Sequence, residues 1–273
     1  MQYSGLVEPS DLFSDHHVHT FLCGHAQGSM EEYVLEAVKK GLRVITFLEH
    51  MEEGIVSRWP SWLSEEDFDY YFSEGRRLQQ KYADKIRIRL GVECGYNSDS
   101  RDKLRQRLAA REWDEIGISC HFLLLPGERE HINLLSKREE NLRRFAGLDC
   151  SELFRRYIAN LSEAVTCLNG TVLCHLDAAL RWVPGHRLND RHYQEIDDLL
   201  ALISARGMAL EINTSGIAIR GEPFPNRQIL GLAKKHGLRF VLSSDAHKPE
   251  DVGNHFSRFQ PKTASPKTKP CSG

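Results

Sequence analysis

Residues 12–19 read Leu-Phe-Ser-Asp-His-His-Val-His, an apolar start followed by a histidine-rich end. In a β-strand, alternate side chains point to the same side, so His17 and His19 would face the same way and could bind one metal ion together. His16 and Val18 would face the opposite way. Two histidines at this spacing are weak evidence alone, because core or surface histidines give the same pattern. The stretch therefore predicts a first strand with a candidate metal site at its end.

Six further runs of β-forming residues alternate with amphipathic stretches along the chain. The predicted strands are residues 12–19, 43–50, 86–95, 115–122, 171–176, 208–213 and 239–245. The predicted helices are residues 29–40, 65–82, 100–111, 151–168, 190–205 and 226–236. Seven strands with a helix between each consecutive pair predict parallel strands with right-handed crossovers. Because chemically reactive residues end all but one of the strands, the pattern favours an α/β fold with a closed or distorted seven-stranded barrel over an open doubly wound sheet.

The bulk composition disfavours several classes of protein. The 273 residues carry a formal net charge of -2, so we expect no general attraction to long nucleic acid or to an anionic membrane. No apolar run approaches the roughly 20 residues that cross a bilayer, and no signal peptide is indicated. The seven cysteines are an odd number without a CxxC pair, which favours thiols in a reducing compartment. We expect a cytoplasmic protein.

Residues with metal-ligand chemistry recur at or just after the predicted strand ends. They are His17, His19, His25, His50, Glu93, His121, His175, Asp245 and His247. Nine ligand-type side chains exceed what one ion needs, so the site should hold several ions, and imidazoles with bridging carboxylates suit zinc, iron or manganese. Glu93 and Asp245 are the natural bridges. Closely spaced divalent ions can activate a shared water and stabilise both oxygens of a displacement at phosphorus. The cluster therefore indicates phosphoester hydrolysis by a metal-bridging hydroxide.

Two arginines could supply positive charge for a phosphate beyond the metals. Arg181 follows the fifth strand and Arg220 the sixth, so both can reach the barrel rim and bind phosphate oxygens in a bidentate way. An ordinary surface position explains each of them equally well. His131 and His192 are weaker candidates for an acid that protonates the leaving group. No GxSxG, P-loop or GxGxxG motif occurs, which disfavours a serine nucleophile and a glycine-rich nucleotide site.

Taken together, these motifs resemble the PHP (polymerase and histidinol phosphatase) superfamily, most closely its histidinol-phosphate phosphatases. The resemblance covers about residues 12–251. Its motifs are DxHxHT at 15–20, GSMEEYV at 28–34, EH at 49–50, GVE at 91–93, SCH at 119–121, HLD at 175–177, EINT at 211–214 and SDAH at 244–247. It implies a distorted seven-stranded βα barrel with three divalent metal ions.

The resemblance also assigns the ligands of each ion. The three implied sets are His17 with His19, Glu93 and Asp245; His25 with His50 and His247; and His121 with His175 and the bridging Glu93. Arginines after the fifth and sixth strands bind substrate phosphate in the family, which adds weight to Arg181 and Arg220. The four expected catalytic residues are therefore Glu93, Asp245, Arg181 and Arg220.

The function implied is that of a phosphoric monoester hydrolase, most closely an L-histidinol-phosphate phosphatase of histidine biosynthesis. A single domain is expected over residues 1–258, with a small phosphomonoester as its partner and no long nucleic acid or membrane. Three alternatives stay open. One is a PHP phosphoesterase for nucleotides or other small phosphoesters, and another is a non-catalytic scaffold stabilised by metal. The third is an amidohydrolase, which commonly carries a bridging lysine where this chain has His121.

The C-terminal part departs from the family pattern. Family members continue past residue 251 with a helix that closes the barrel, whereas residues 259–273 here are rich in Lys, Pro, Ser and Thr and lack apolar periodicity. We expect a disordered tail there. Such an end would loosen the seventh strand, which carries Asp245 and His247, and would lower stability or require a partner.

Overall fold

The computed structural model describes residues 3 and 5–260, and its centre is one sheet of parallel strands. The strands are β1 (Ser14–Val18), β2 (Val44–Met51), β3 (Arg87–Gly95), β4 (Ile116–Ser119), β5 (Phe122–Leu123), β6 (Ile132–Asn133), β7 (Val172–Leu173), β8 (Ala209–Asn213) and β9 (Phe240–Ser243). Seven of them pair in the order β1-β2-β3-β4-β7-β8-β9, and every pair is parallel. β5 and β6 form a separate antiparallel ribbon.

Helices connect the strands and cover the outside of the sheet. They are α1 (Met30–Lys39), α2 (Glu65–Lys81), α3 (Arg101–Ala109), α4 (Glu139–Arg143), α5 (Cys150–Cys167), α6 (Asp190–Ala205), α7 (Ser215–Arg220) and α8 (Arg227–Lys235). Ser29 with Glu32 and Ser64 with Asp67 form capping boxes that satisfy free N–H groups where α1 and α2 begin. Over the described part of the chain, no helix combines the length and the apolar character needed to span a membrane.

The first and last strands of the sheet meet and nearly close it into a barrel. Val18 of β1 forms a parallel bridge with Ala246, which lies just after β9. The backbone N–H of His19 donates to the carbonyl of Ala246 at 2.9 Å, and that of Asp245 donates to the carbonyl of His17 at 2.8 Å. The predicted distorted seven-stranded βα barrel is confirmed. Closure places Asp245 beside His17 and His19.

Apolar side chains support the polar end of the barrel from below. A small buried cluster inside the barrel consists of Leu48, Val172, Cys174, Ala209 and Val241. A larger apolar cluster lies between the strands and the helices. Full burial of a Leu or Val side chain stabilises the fold by roughly 1.5–3 kcal/mol. The inner cluster therefore provides stable apolar packing next to the strand ends.

The stretch 123–149 is polar and lacks a clear apolar period, which predicts an excursion over the site or a helical insertion. Its structure combines both, because the β5–β6 ribbon begins directly after His121 and α4 follows the ribbon. The ribbon is tied back to the barrel by the N–H of Leu134, which donates to the carbonyl of His121 at 2.8 Å. The insertion therefore stands beside the strand ends.

Beyond β9, the described chain ends in two short 3-10 helices, Pro249–Asp251 and Phe256–Arg258. Phe256 and Phe259 are buried, and the ring of Phe259 stacks on Tyr3 with centroids 5.0 Å apart. The packed body thus includes Phe259, one residue past the expected limit at 258. Most of the expected disordered tail, residues 261–273, lies outside the described residues, so its disorder stays a prediction.

Candidate metal centre

Parallel strands that end at one rim bring the predicted ligands together. The structure gathers nine side chains there: His17, His19, His25, His50, Glu93, His121, His175, Asp245 and His247. Their segments lie far apart in the sequence, and they meet because the carboxyl ends of all seven barrel strands point the same way. The rim is therefore the candidate metal centre.

Glu93 lies at the middle of the cluster and faces different histidines with its two oxygens. Its Oε1 lies 2.6 Å from Nε2 of His175 and 3.0 Å from Nε2 of His121. Its Oε2 lies 2.8 Å from Nδ1 of His50 and 3.5 Å from Nε2 of His17. A carboxylate with imidazoles at both oxygens has the geometry of a bridge between two cations.

His17, His19 and Asp245 form one compact group. The Nε2 atoms of the two histidines lie 2.9 Å apart, and Oδ1 of Asp245 lies 3.3 Å from Nε2 of His19. Burial alone would raise the pKa of Asp245, but the hydrogen bond with His19 and the nearby histidine charges hold that pKa well below its ordinary value. Asp245 is therefore a carboxylate in this group, as a metal ligand must be.

His25 and His247 face each other at the outer side of the cluster. Their Nε2 atoms lie 2.9 Å apart. Burial, together with His50 and His247, lowers the pKa of His25 to about 3. The imidazole of His25 is therefore neutral, which is the form that binds a metal.

His50 lies between two of the expected ion positions. One group within 4.8 Å joins its ring to His19 and His247, and another joins it to Glu93 and His121. The ring also stacks on His19 with centroids 4.1 Å apart. The structure therefore puts His50 next to the third expected ion position as well as the second.

Several buried atoms of the cluster have no hydrogen-bond partner among the residues that the structure describes. They are Nδ1 of His19, Nε2 of His50 and Nδ1 of His175; Nδ1 of His50 and Oε2 of Glu93 lie 2.8 Å apart without the geometry of a hydrogen bond. A buried polar atom without a partner costs about 1–3 kcal/mol, so a bare cluster of this kind would be unfavourable. Ring nitrogens and carboxylate oxygens in this arrangement suit zinc, iron or manganese. The residues therefore fit bound divalent ions.

Two carboxylates that the sequence interpretation did not assign hold the ligand rings from behind. Oε1 of Glu211 lies 2.7 Å from Nδ1 of His17, and Oε1 of Glu52 lies 2.6 Å from Nδ1 of His121. Such partners orient a metal-binding imidazole and increase its basicity. Glu52 lies two residues after His50, a period-two spacing that could have pointed to it, and Glu211 was already part of a family motif.

These carboxylates also control the protonation of the rings. Although burial opposes it, the charges of Glu211 and Glu93 raise the pKa of His17 well above its usual value. Against the same effect of burial, Glu93 and Glu52 raise the pKa of His121 to about 10. The carboxylates thus create a strong local demand for positive charge, which a metal ion can meet in place of a proton.

Strand alternation predicts that the thiols of cysteines next to the ligands point away from the metals, and for Cys174 this is wrong. Its thiol lies within 4.8 Å of a ring nitrogen of His17. Strict strand alternation fails because β7 ends at Leu173 and His175 has a φ of 25°. Burial raises the pKa of Cys174 well above its usual value, which favours the neutral thiol.

A cavity of about 1000 Å³ opens onto the cluster. Seven cluster residues line it: His25, His50, Glu93, His121, His175, Asp245 and His247. The outer wall comes from residues 57–61 after β2 and from residues 128–144 of the insertion. The insertion therefore contributes directly to the space where a substrate would lie.

Arg181 lines this cavity with an unpaired guanidinium. Its Nε and Nη1 are buried, and within the described residues neither has a hydrogen-bond partner. The guanidinium lies 5.5 Å from the ring centroid of Phe224 and 5.9 Å from that of Trp182. Burial lowers its pKa, yet an arginine remains charged at neutral pH. The side chain is therefore available to an anion.

Arg220, by contrast, is already paired. Its Nη1 and Nη2 donate to the two carboxylate oxygens of Asp177 at 3.0 Å each, and Nη2 also contacts the carbonyl of Pro223. Asp177 in turn accepts the N–H of Asn226 at 3.0 Å, where α8 begins. The cavity lining in the described chain does not include Arg220. Its expected contact with phosphate stays a prediction.

The two histidines considered as acids lie in different places. His131 lines the cavity. His192 caps α6, because its Nδ1 accepts the N–H of Asn189 at 3.1 Å and its Nε2 lies 3.0 Å from Oγ of Ser151. The structure therefore gives His192 a helix-capping role, away from the cluster.

Comparison with protein families gives two adjoining matches. The model described as PHP domain matches residues 15–215, and the model described as PHP-associated matches residues 223–268. The chain belongs to the PHP domain family. The first match covers seven of the nine clustered side chains, and the second includes Asp245 and His247. The second match also runs past residue 258, so the domain limit expected there stays a prediction.

This PHP domain is similar along most of its length to curated phosphatases. It is 30% identical over 247 residues to a probable histidinol-phosphatase of Deinococcus radiodurans, covering 89% of each chain. It is 24% identical to the histidinol-phosphatase of Bacillus subtilis, covering 90% of this chain and 97% of that one.

Two solved structures share the fold of this PHP domain. A putative histidinol phosphatase of Listeria monocytogenes matches with a TM-score of 0.80 at 22% identity, covering 90% of this chain and 100% of that chain. The histidinol phosphate phosphatase of Lactococcus lactis, complexed with zinc, L-histidinol and phosphate, matches with a TM-score of 0.75 at 22% identity, covering 90% of each chain. This chain therefore shares its fold with both structures over about 90% of its length.

Proposed function

We propose that this PHP domain hydrolyses L-histidinol phosphate to L-histidinol and phosphate, a step of histidine biosynthesis. The observation that carries the proposal is the unpaired guanidinium of Arg181 in the same cavity as the clustered histidines and carboxylates. Arg181 on one side and the metal ions of this proposal on the other would supply positive charge to a phosphomonoester bound between them. The curated histidinol-phosphatases, and the relative that holds L-histidinol and phosphate, support this substrate.

In this proposal the cluster holds three divalent ions of zinc, iron or manganese. Their ligands are His17, His19, Glu93 and Asp245 for the first; His25, His50 and His247 for the second; and Glu93, His121 and His175 for the third. When bound, such ions activate a water as nucleophile and neutralise charge on the phosphate. The zinc in the Lactococcus lactis relative and the unpartnered donor atoms of this chain support the ligand set.

The residues of the chain then have separate tasks. Arg181 donates from Nε and Nη1 to phosphate oxygens and holds the ester over the cluster. Glu93 joins two ion positions, and Asp245 keeps its negative charge next to His19. Glu211 fixes the ring of His17 so that its Nε2 points into the site.

Metal analysis combined with a substrate panel tests the proposal. The purified chain should contain about three equivalents of transition metal and should lose activity in a chelator. Its kcat/KM for L-histidinol phosphate should exceed that for nucleoside monophosphates by about 100-fold or more. Bound metal without hydrolysis of any phosphomonoester, including p-nitrophenyl phosphate, would contradict the proposal that the protein is a phosphatase. A higher kcat/KM for nucleoside monophosphates would contradict the proposal that L-histidinol phosphate is the substrate.

We also propose that the protein is located in the cytoplasm. All six cysteines in the described part of the chain are free, which fits a reducing compartment. The partner is then a small phosphomonoester rather than a polynucleotide, because the net charge of -2 offers no general attraction to a polyanion.

A further inference from the structure

His131 is a buried histidine in the outer wall of the cavity, with 7% of its surface exposed. Its backbone N–H donates to the carbonyl of Val56 at 2.9 Å. The N–H of Val56 donates back to Nδ1 of the His131 ring at 3.2 Å. Arg144 donates to the carbonyl of His131 at 2.9 Å from the other side. Two separate segments therefore hold the backbone of His131, and the contact with Val56 orients its ring.

The contact with Val56 also determines which ring nitrogen carries the proton. A backbone N–H can only donate, so Nδ1 of His131 must be an acceptor. In a neutral imidazole the proton is then on Nε2. Burial lowers the pKa of His131, which favours that neutral form. His131 thus presents an N–H donor at Nε2.

This donor is buried and has no partner within the described residues. A buried donor left unsatisfied costs about 1–3 kcal/mol, and native proteins rarely keep one without a use. His131 lines the same cavity as Arg181 and the clustered histidines and carboxylates. An acceptor on a molecule bound in the cavity would satisfy the N–H at Nε2 of His131.

The place of His131 along the β5–β6 ribbon separates it from the phosphate end of the cavity. Leu134 pairs with His121 at the rim through a 2.8 Å hydrogen bond. His131 lies three residues further out, which is roughly 10 Å along a strand. Phosphate held by the cluster and Arg181 would leave the rest of the substrate on the side of His131.

We infer that His131 is a specificity-determining residue whose Nε2–H donates a hydrogen bond to the imidazole ring of bound L-histidinol phosphate. The inference rests on the proposed function, because that substrate carries an imidazole at the end remote from its phosphate. A neutral imidazole has one free acceptor nitrogen, which matches one donor. His131 then recognises the imidazole of the substrate and takes no part in breaking the ester.

A His131→Asn variant separates the donor from the structural contact. The Asn carbonyl oxygen can still accept the N–H of Val56, while the donor at the Nε2 position is lost. At pH 8, where the substrate imidazole is neutral, we expect KM for L-histidinol phosphate to rise about tenfold with kcat within twofold. Turnover of p-nitrophenyl phosphate, which has no imidazole, should be unchanged.

His186→Asn is the matched control. Nε2 of His186 is likewise buried without a partner in the described chain, but His186 does not line the cavity. Its kinetics with both substrates should match those of the wild type. Equal losses on both substrates in His131→Asn, or no change on either, would overturn the inference.

A substrate analogue gives a second measurement that does not depend on the folding of a variant. With wild-type enzyme, the analogue that carries phenyl in place of imidazole should show a KM about tenfold higher than L-histidinol phosphate. Equal KM values would overturn the role of His131 while leaving phosphatase activity intact. Absence of any phosphatase activity in the metal-loaded wild type would instead refute the proposed function itself.

Discussion

Oε1 of Glu211 lies 2.7 Å from Nδ1 of His17, although the two residues are 194 positions apart. The second oxygen of Glu211 accepts the backbone N–H of His175 at 2.5 Å. One buried carboxylate on β8 therefore positions a ring on β1 and the backbone after β7. Glu211 is not one of the proposed ligands, yet it contacts two of them.

Replacing this carboxylate should weaken metal binding more than it weakens the fold. In Glu211→Gln the ring of His17 loses a charged partner, and metal affinity should fall about 10- to 100-fold. Competition with a chromogenic chelator measures this affinity, and excess metal should restore most of the activity. Glu195→Gln, a partly buried glutamate on α6, is the control. Unchanged affinity in Glu211→Gln would contradict the positioning role.

Glu93 should affect two ion positions at once, because its oxygens face different histidines. We expect Glu93→Ala to lose more than one equivalent of metal and to lower kcat/KM by about 1000-fold or more. Elemental analysis and phosphatase assays on the same sample measure both effects. Full metal content together with full activity would show that Glu93 is not a bridge.

Arg181 should matter for the phosphate and not for the metal. Arg181→Ala removes a charged bidentate donor, so kcat/KM should fall about 100-fold and inhibition by inorganic phosphate should weaken in parallel. Metal content should be unchanged. Arg187→Ala, an exposed arginine in the same loop, should behave like the wild type. If phosphate inhibited Arg181→Ala as strongly as the wild type, the contact would be excluded.

The barrel was predictable because its signals are local. Period-two spacing places His17 and His19 on one side of a strand, and parallel strands place later strand ends at the same rim. These rules require no knowledge of which residues pair over long distances. They identify the fold and predict that the nine expected ligands lie at the same rim of the barrel.

Features that depend on long-range pairing were harder to predict. Nothing near Arg220 in the sequence shows that Asp177, 43 residues away, holds it in a bidentate pair. The same applies to Glu52, whose partner His121 lies 69 positions away. The thiol of Cys174 was misplaced because β7 is only two residues long, so alternation stops being a guide there.

Glu115 offers a test of stability that is independent of the metal centre. It is buried before β4, and its Oε2 lies 3.1 Å from Nδ1 of His16 and 2.7 Å from Nη1 of Arg89. Burial alone would raise its pKa, but the hydrogen bond with His16 and the charges of His16 and Arg89 lower it below the ordinary value of 4.5. Glu115→Gln should therefore reduce the free energy of unfolding by about 1–3 kcal/mol at pH 7.

The sign of the pH dependence follows from that lowered pKa. A carboxyl group with a depressed pKa in the folded state stabilises the fold above its unfolded pKa, and the contribution is lost as pH falls through the folded value. The gap between wild type and Glu115→Gln should therefore be full at pH 7 and shrink below about pH 4.5. Urea unfolding of chelator-treated samples at several pH values measures the gap without a contribution from metal. Glu163→Gln, at an exposed ion pair with Arg101, should change stability by no more than about 0.5 kcal/mol. A gap that stays constant from pH 7 to pH 3 would show that the charge of Glu115 does not stabilise the barrel.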